Sequence, residues 1–173
     1  MSFQTKSYIN QALGKAGNVS RDNPLTKLPM IAEGDAVVAG GFCFEGTDTE
    51  HQVLGVKAGA TSVAGFVVFP RYQVAVANFA NTMKINEGEE VAVVKKGYCF
   101  AVSSTAAAKG NNVVVKPADG TIQTLALAYE TKADTSTGAV TTTASNMPEG
   151  FIDTGWKVET GAEAGATCEI YNI

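Results

Sequence analysis

Length, composition and charge set the first limits on this chain. Its 173 residues suffice for one domain with a sizeable core, and its net charge of −4 comes without a dense cluster of Lys and Arg. Neutralising the phosphates of a nucleic acid needs such a cluster, so the composition argues against a nucleic-acid partner. No apolar run is long enough to span a bilayer, and the first residues lack the apolar segment of a signal peptide. We therefore expect a protein made in a reducing cytoplasm, with no membrane partner.

The first 30 residues differ from the rest of the chain. Gly, Asn and Pro interrupt any regular element between residues 14 and 29, and only Tyr8–Ala12 has a pattern compatible with a helical turn. Polar, glycine-rich sequence with spaced apolar residues is typical of an extended arm that becomes ordered on a neighbouring subunit, and also of a poorly ordered tail. We divide the chain into an extended N-terminal arm, residues 1–30, and a β domain, residues 31–173. The expected contact residues of the arm are Phe3, Tyr8, Ile9 and Leu13.

A short motif occurs twice in the chain. Residues Ile31–Phe44 read IAEGDAVVAGGFCF, and residues Ile85–Phe100 read INEGEEVAVVKKGYCF. Each copy begins with Ile, one spacer and Glu-Gly-acid, continues with valines and ends on Gly-aromatic-Cys-Phe. Glycine supplies the positive φ of tight turns, and valine and aromatic residues favour strands. Each copy therefore predicts a turn, a strand, a tight glycine turn and a second strand, which favours a scaffold or binding protein over an enzyme.

From residue 31 onward, short β-type runs alternate with turn signals, which predicts an all-β small barrel or sandwich built from repeated hairpins. The predicted strands are Ala36–Phe44, Gln52–Lys57, Gly65–Phe69, Glu90–Val94, Tyr98–Ser103, Asn112–Lys116, Ile122–Tyr129, Phe151–Val158 and Thr167–Tyr171. Lys95-Lys96-Gly97 and Asp119-Gly120 are predicted turns between strands. Residues 130–146, rich in Thr and Ser, are interpreted as a long exposed loop or an edge strand. Residues 72–81 allow a short helix or a strand.

No residue pattern predicts catalysis, a cofactor or a metal site. His51 is the one histidine of the sequence, and a zinc site needs further ligands at close spacing, so we expect an exposed loop residue. The cysteines Cys43, Cys99 and Cys168 lie in strand patterns and are interpreted as small buried side chains. No nucleophile elbow or P-loop is present, and the acidic cluster at residues 87–90 lies in a predicted turn. We expect a protein that is not an enzyme.

The surface composition favours protein partners instead. A surface low in charge and rich in Thr, Ala and Val is suited to broad contact with other subunits. Arg and Tyr are frequent hot spots of interfaces, so Arg71 and Tyr72 are further candidates for contacts with other subunits. Trp156 has two interpretations, an interface anchor or a core residue of the last hairpin, and we favour the second.

The second copy of the motif resembles a known family. Residues Ile85–Val102 look like the central hairpin of the capsid decoration, or structural cement, proteins of tailed bacteriophages, and Lys109–Val115 looks like its later partner strand. Glu33-Gly34-Asp35-Ala36-Val37 resembles the start of the same domain. The glycine-rich N-terminal region is similar too, so the likeness covers most of the chain.

This resemblance implies a structural virion protein without catalytic residues, on the exterior of an icosahedral head. Such proteins lie at junctions between major capsid subunits, often as dimers or trimers, and stabilise the expanded shell. The implied partners are the major capsid protein and further copies of this chain, as a homo-dimer or homo-trimer. Two alternatives stay open, a phage tail or baseplate β-module and a ligand- or carbohydrate-binding β domain. The sequence has no coiled coil or repeated fibre shaft for the first, and Trp156 stands alone where the second would present several aromatic residues.

Overall fold

The structure is a computed structural model that describes residues 14–34, 36–69, 84–133 and 140–173, with the backbone alone for residues 131–133 and 140–143. This part of the chain contains strands and no helix, so the all-β prediction is confirmed. The strands are β1 Val19–Ala32, β2 Phe42–Glu45, β3 Gln52–Leu54, β4 Gly65–Val68, β5 Glu90–Val102, β6 Asn112–Val115, β7 Ile122–Leu125, β8 Tyr129–Ala133, β9 Val140–Ala144, β10 Ile152–Thr160 and β11 Thr167–Asn172.

Nine of these strands form one sheet in the order β1-β3-β2-β4-β5-β11-β10-β6-β7, and β8 and β9 form a separate two-stranded sheet. β1 also pairs with β5, so β1, β3, β2, β4 and β5 are joined in a closed cycle of pairings. The β1–β3 pair is parallel, and the other pairs are antiparallel. The sequence left a small barrel and a sandwich as alternatives. The structure instead has one large sheet, in which the first five strands of the sheet order form a closed cycle of pairings.

β5 connects the two halves of the sheet. Residues 92–94 pair with β4, and residues 97–102 pair with β11, while β1 pairs along the other side. The hairpin turn predicted at Lys95-Lys96-Gly97 is wrong, because the strand continues through these residues. Gly97 has a φ of +144°, and a Cβ there would lie 2.9 Å from Leu25 Cδ1 and 3.1 Å from the Pro24 carbonyl oxygen. Because Gly97 has no Cβ, residues 24 and 25 of β1 can pack closely against β5 at this point, where the β1–β5 register is irregular. The glycine does not reverse the chain.

Two hydrophobic clusters are buried on opposite faces of β4. Phe66 and Val68 belong to the larger cluster, whereas Val67 between them belongs to the smaller one, to which all five strands of the cycle contribute. This alternation follows from the two-residue period of a strand, and it requires a strand that is apolar throughout. Trp156 of β10 is 1% exposed, and its ring centroid lies 5.9 Å from that of Phe42 and 5.7 Å from that of Phe66. The interpretation of Trp156 as a core residue is therefore confirmed.

β1 begins inside the segment that was predicted as an arm. It is the longest strand, with 14 residues, and it pairs with β5. The predicted boundary between residues 30 and 31 falls within this strand, and residues 19–30 belong to the sheet. β5 supplies pairing partners on that side, so a chain interrupted by Pro24 and Pro29 can still form a strand. Residues 1–13, with the predicted helical turn at Tyr8–Ala12, lie outside the described residues, as do residues 72–81.

The predicted strand Ala36–Phe44 overlaps β2 only at residues 42–44, whereas the predictions for β3, β4, β6, β7, β10 and β11 agree with the described strands to within a few residues. The turn at Asp119-Gly120 is confirmed between β6 and β7, where the Gly120 amide donates to the Lys116 carbonyl at 2.8 Å. Within residues 130–146, interpreted as a loop or an edge strand, the described residues 130–133 and 140–144 belong to β8 and β9, whose first pair joins Tyr129 to Ala144.

Candidate interaction surfaces

The predicted contact residues fall on two segments that lie outside the described residues. Phe3, Tyr8, Ile9 and Leu13 belong to residues 1–13, here called the N-terminal segment, and Arg71 and Tyr72 belong to residues 70–83, here called the internal segment. The described residues on either side show where each segment joins the fold.

Both segments join the fold at neighbouring points. The Phe69 amide, immediately before the internal segment, donates a hydrogen bond to the Gly17 carbonyl at 2.9 Å. The Gly17 amide donates to the Phe100 carbonyl and the Phe100 amide to the Asn18 carbonyl, both at 2.9 Å. Lys15 Nζ lies 4.8 Å from the centroid of the Phe69 ring, within the range of a cation–π contact. We call the set Lys15, Gly17, Gly40, Phe69 and Phe100 the segment junction.

Two glycines permit the close packing of this junction. Gly17 and Gly40 have φ values of +88° and +91°, and a Cβ on Gly17 would lie 3.0 Å from the Gly40 nitrogen. The Gly40 amide donates to the Val67 carbonyl at 2.8 Å, which ties the loop before β2 to β4. Lys84, the first described residue after the internal segment, pairs with Val38, two residues before Gly40. The N-terminal segment and both ends of the internal segment therefore meet the described fold in one region.

A buried carboxylate fastens the start of β1 to β11. Glu169 is 7% exposed and accepts hydrogen bonds from Ser20 Oγ, from Arg21 Nε and Nη2 at 3.1 Å each, and from Thr160 Oγ1 at 3.1 Å. Burial raises the pKa of Glu169, but the hydrogen bonds from Ser20, Arg21 and Thr160 outweigh burial and hold the pKa below its ordinary value. Sequence reasoning missed this cluster because Ser20 and Arg21 lie almost the whole length of the chain away from Glu169, in a segment without a regular pattern.

The β8–β9 hairpin is joined to the main sheet through side chains at its base. Among the described strands, β8 and β9 pair only with each other. The Tyr129 hydroxyl donates to Asp153 Oδ2 at 2.7 Å and accepts from Asn112 Nδ2 at 2.9 Å, while Asn146 Nδ2 donates to the Ala126 carbonyl at 2.7 Å. Burial, together with the acceptor Asp153, raises the pKa of Tyr129 to about 12, so its hydroxyl stays a donor at neutral pH. A two-stranded hairpin is marginally stable in water by itself, and these bonds stabilise its base.

The edge strand β7 is covered by a loop of the same chain. The Ser104 amide donates to the Ile122 carbonyl at 2.9 Å, and the Thr124 amide donates to Thr105 Oγ1 at 2.9 Å. Thr105 Oγ1 also donates to the Thr124 carbonyl at 3.0 Å. Side-chain hydroxyls and one backbone amide thus satisfy the polar groups that an edge strand would present to another chain. This edge is therefore covered against strand addition.

The residues weighed for catalysis or metal binding do not form a site in the part of the chain that the structure describes. His51 is exposed, with Nδ1 at 3.0 Å from Asp48 Oδ2. The interpretation of Cys43, Cys99 and Cys168 as buried thiols is confirmed, and burial raises the pKa of Cys43 and Cys99 to about 12. No group of three or more His, Cys, Asp or Glu in the described ranges is arranged to hold a metal ion. The described ranges contain no helix that is long and apolar enough to cross a membrane.

Comparison with known proteins decides the family. A family model of structural cement proteins (E217 gp24/Pam3 gp6) matches residues 3–172. The chain belongs to this family. One chain of the solved structure "The capsid of Myoviridae Phage XM1" is similar to the cement protein over 99% of its length and 97% of that chain, with a TM-score of 0.61 and 14% identity. At this identity the likeness shows a shared fold. A comparison with curated proteins finds no match.

The resemblance seen in the sequence is therefore confirmed at the level of the family. The protein is a structural cement protein of the phage cement family. Its family is one of structural proteins and not of enzymes. The surfaces described above are accordingly considered as places where the cement protein contacts other proteins.

Proposed function

We propose that this cement protein binds the outer surface of an icosahedral head at junctions between major capsid subunits and stabilises the expanded shell. The observation that carries the proposal is the segment junction, where the N-terminal and internal segments join the fold side by side. These two segments carry all of the predicted contact residues. Two segments that start from one well-packed region can contact two neighbouring capsid subunits at the same time, as binding at a junction requires.

The proposed mechanism is mass action. A protein that binds the expanded shell and not its unassembled subunits lowers the free energy of the expanded shell, in proportion to the logarithm of its free concentration over its Kd. We infer that the cement protein acts as a homo-dimer or homo-trimer, because linked copies convert several weak contacts into one strong attachment. The net charge of −4 suits a position on the exterior, away from the packaged nucleic acid.

Co-sedimentation with undecorated heads, before and after shell expansion, tests this proposal. We expect saturable binding to expanded heads at a fixed ratio per capsid subunit, and little binding to unexpanded heads. Deletion of residues 1–13, or the double substitution Arg71→Ala and Tyr72→Ala, should each weaken binding at least tenfold, which corresponds to about 1.4 kcal/mol. His51→Ala, in the exposed loop between β2 and β3, is the matched control and should bind like the unmodified protein.

Four outcomes would each contradict one part of the proposal. Absence of binding to either form of the head would favour a tail or baseplate module. Full binding by both altered proteins would move the contact surface away from the two segments. Equal binding before and after expansion would contradict the preference for the expanded shell, and sedimentation equilibrium of the free protein would show a monomer if the proposed oligomer is wrong.

A further inference from the structure

β1 is attached to the sheet in two parts that differ in their anchoring. The second part, residues 26–32, pairs residue by residue with β5 from Lys27 onward and buries Met30 and Ala32 in the core. The first part, residues 19–21 together with Gly17 and Asn18 before them, pairs with β5 at two positions and bonds to Phe100 through the backbone of residues 17–18. Residues 22–25 have no partner in β5. The register shift between the parts interrupts the ladder, so the first part can leave β5 without disturbing the second.

The first part depends on polar contacts for its attachment. Arg21 is exposed, and Val19 is half-buried against the core. The backbone bonds of this part join residues 17–18 to Phe100 and the Gly17 carbonyl to the Phe69 amide, and its side-chain hydrogen bonds are those of Ser20 and Arg21 with Glu169. Hydrogen bonds to an ionised group are roughly twice as strong as those between neutral groups, so the charge of Glu169 decides much of the attachment.

The donors around Glu169 make its ionised form necessary. Both oxygens of the carboxylate accept from the Arg21 guanidinium, which has donors and no acceptor. A protonated Glu169 must donate its own O–H, and Arg21 cannot receive it. The ion pair would therefore be lost together with one hydrogen bond to Arg21, while Ser20 and Thr160 could still rotate to accept.

A second carboxylate, that of Glu159, also lies close to Arg21. Glu159 Oε1 of β10 lies 3.7 Å from Arg21 Nη2 and 3.2 Å from Lys109 Nζ. On β5, the Tyr98 ring lies 4.2 Å from Arg21 Cζ and stacks on Tyr171 of β11 with centroids 5.6 Å apart. The described ionisable groups that face this cluster are thus Arg21 on β1, Tyr98 on β5, Lys109 before β6, Glu159 on β10, and Tyr171 beside Glu169 on β11.

We propose that Glu169 is a pH-sensitive latch, whose carboxylate holds residues 17–21 on the sheet and whose protonation releases them while residues 26–32 stay paired. This inference concerns the free protein and does not rest on the proposed capsid binding. The pKa of Glu169 in the fold lies below the ordinary value of 4.5. The stabilisation is therefore complete above that ordinary value and is lost as the pH falls through the lower folded value.

Amide hydrogen exchange followed by NMR tests the latch on the full chain. The readouts are the amides of Gly17 and Phe100, which form the backbone bonds of the first part, and the Ala32 amide, which donates to Glu89 in the second part. At pH 7, Glu169→Gln should lower the protection of the Gly17 and Phe100 amides at least tenfold and leave the Ala32 amide unchanged. The matched control Glu159→Gln should leave all three amides within threefold of the unmodified protein.

A titration of the unmodified protein supplies the second readout. Between about pH 6 and pH 3, with exchange expressed relative to the unstructured chain at each pH, the Gly17 and Phe100 amides should lose protection before the Ala32 amide does. This difference should vanish in Glu169→Gln. The latch is wrong if the three amides change together, if none changes, or if Glu159→Gln has the larger effect. Should Glu169→Gln fail to fold, the order of loss in the unmodified protein decides the matter by the same criterion.

Discussion

The two copies of the repeated motif fold alike at their first turn and differently after it. In the first copy the chain leaves β1, turns at Gly34 and reaches β2, which has 4 residues. In the second copy it turns at Gly88 and enters β5, which has 13 residues. Both turn glycines are left-handed, with φ values of +72° and +82°. The turns are therefore local properties of the repeated Glu-Gly-acid sequence, whereas the strands after them are not.

The neighbours of each copy account for the difference. β5 has strands on both sides, with β1 along one side and β4 and then β11 along the other. In the first copy, Val38 pairs with Lys84 in an isolated bridge, and the chain then bends at Gly40 towards the segment junction. A valine-rich run thus becomes a long strand where partners flank it and a loop where they do not, as expected for a propensity that depends on context.

The largest difference between the two copies is expected for substitutions at their first residue. Ile85 is fully buried in the smaller core cluster, whereas Ile31 is 43% exposed. Ile85→Ala should lower the free energy of unfolding by about 3 kcal/mol through lost burial and a cavity. Ile31→Ala should cost less than about 1 kcal/mol, as surface substitutions do. Urea denaturation of both variants measures the difference, and equal costs would show that the two copies do not differ in burial.

Much of the fold could be predicted from local pattern. Short apolar runs bounded by turn residues located β3, β4, β6, β7, β10 and β11, because these strands carry a two-residue or continuous apolar period. β1 was not predicted, because Asn23-Pro24 and Pro29 interrupt its pattern and because its pairing partner, β5, lies far along the chain. The predicted turn at Lys95-Lys96-Gly97 was wrong because a glycine at positive φ occurs both in chain reversals and in strands where another strand packs closely. The neighbouring strand β1, which the local sequence does not show, distinguishes the two cases.

The interaction surfaces were less accessible to sequence reasoning than the strands. The family resemblance on the second copy of the motif was sufficient to predict a cement protein, since it rests on residues that are close in sequence. The segment junction needs Gly17, Gly40 and Phe69 to meet, and the Glu169 latch needs Ser20 and Arg21 to meet β11. Pairings over such distances leave no periodic signal in one sequence, and their residues look like ordinary turn or surface residues.

An intermediate effect is expected at the glycine that precedes the aromatic residue of each copy. Gly97 combines a φ of +144° with the nearby Pro24 carbonyl, whereas a Cβ on Gly41 would meet the Val38 methyl Cγ2 at 3.1 Å. Gly97→Ala should cost about 2 kcal/mol, since the backbone strain cannot be relieved by a side-chain movement. Gly41→Ala should cost about 1 kcal/mol or less, because Val38 can shift. Thermal unfolding of the two variants ranks them, and a larger loss for Gly41→Ala would contradict the crossing role of Gly97.

The smallest effect should fall on the turn that the two copies share. A Cβ on Gly88 would have no neighbour within 4 Å, and one on Gly34 would lie 3.9 Å from Leu54 Cδ2, so alanine fits the space at both positions. The cost of substitution is then the left-handed backbone alone, which is about 1 kcal/mol for a residue with a Cβ. Gly34→Ala and Gly88→Ala should lower the free energy of unfolding equally, to within about 0.5 kcal/mol.

Asn in place of Ala should recover part of the loss in both, because Asn tolerates this conformation. Chemical denaturation of the four variants measures these differences. A cost confined to one copy would mean that its turn is held by its surroundings, and that the likeness of the two copies ends at their sequence.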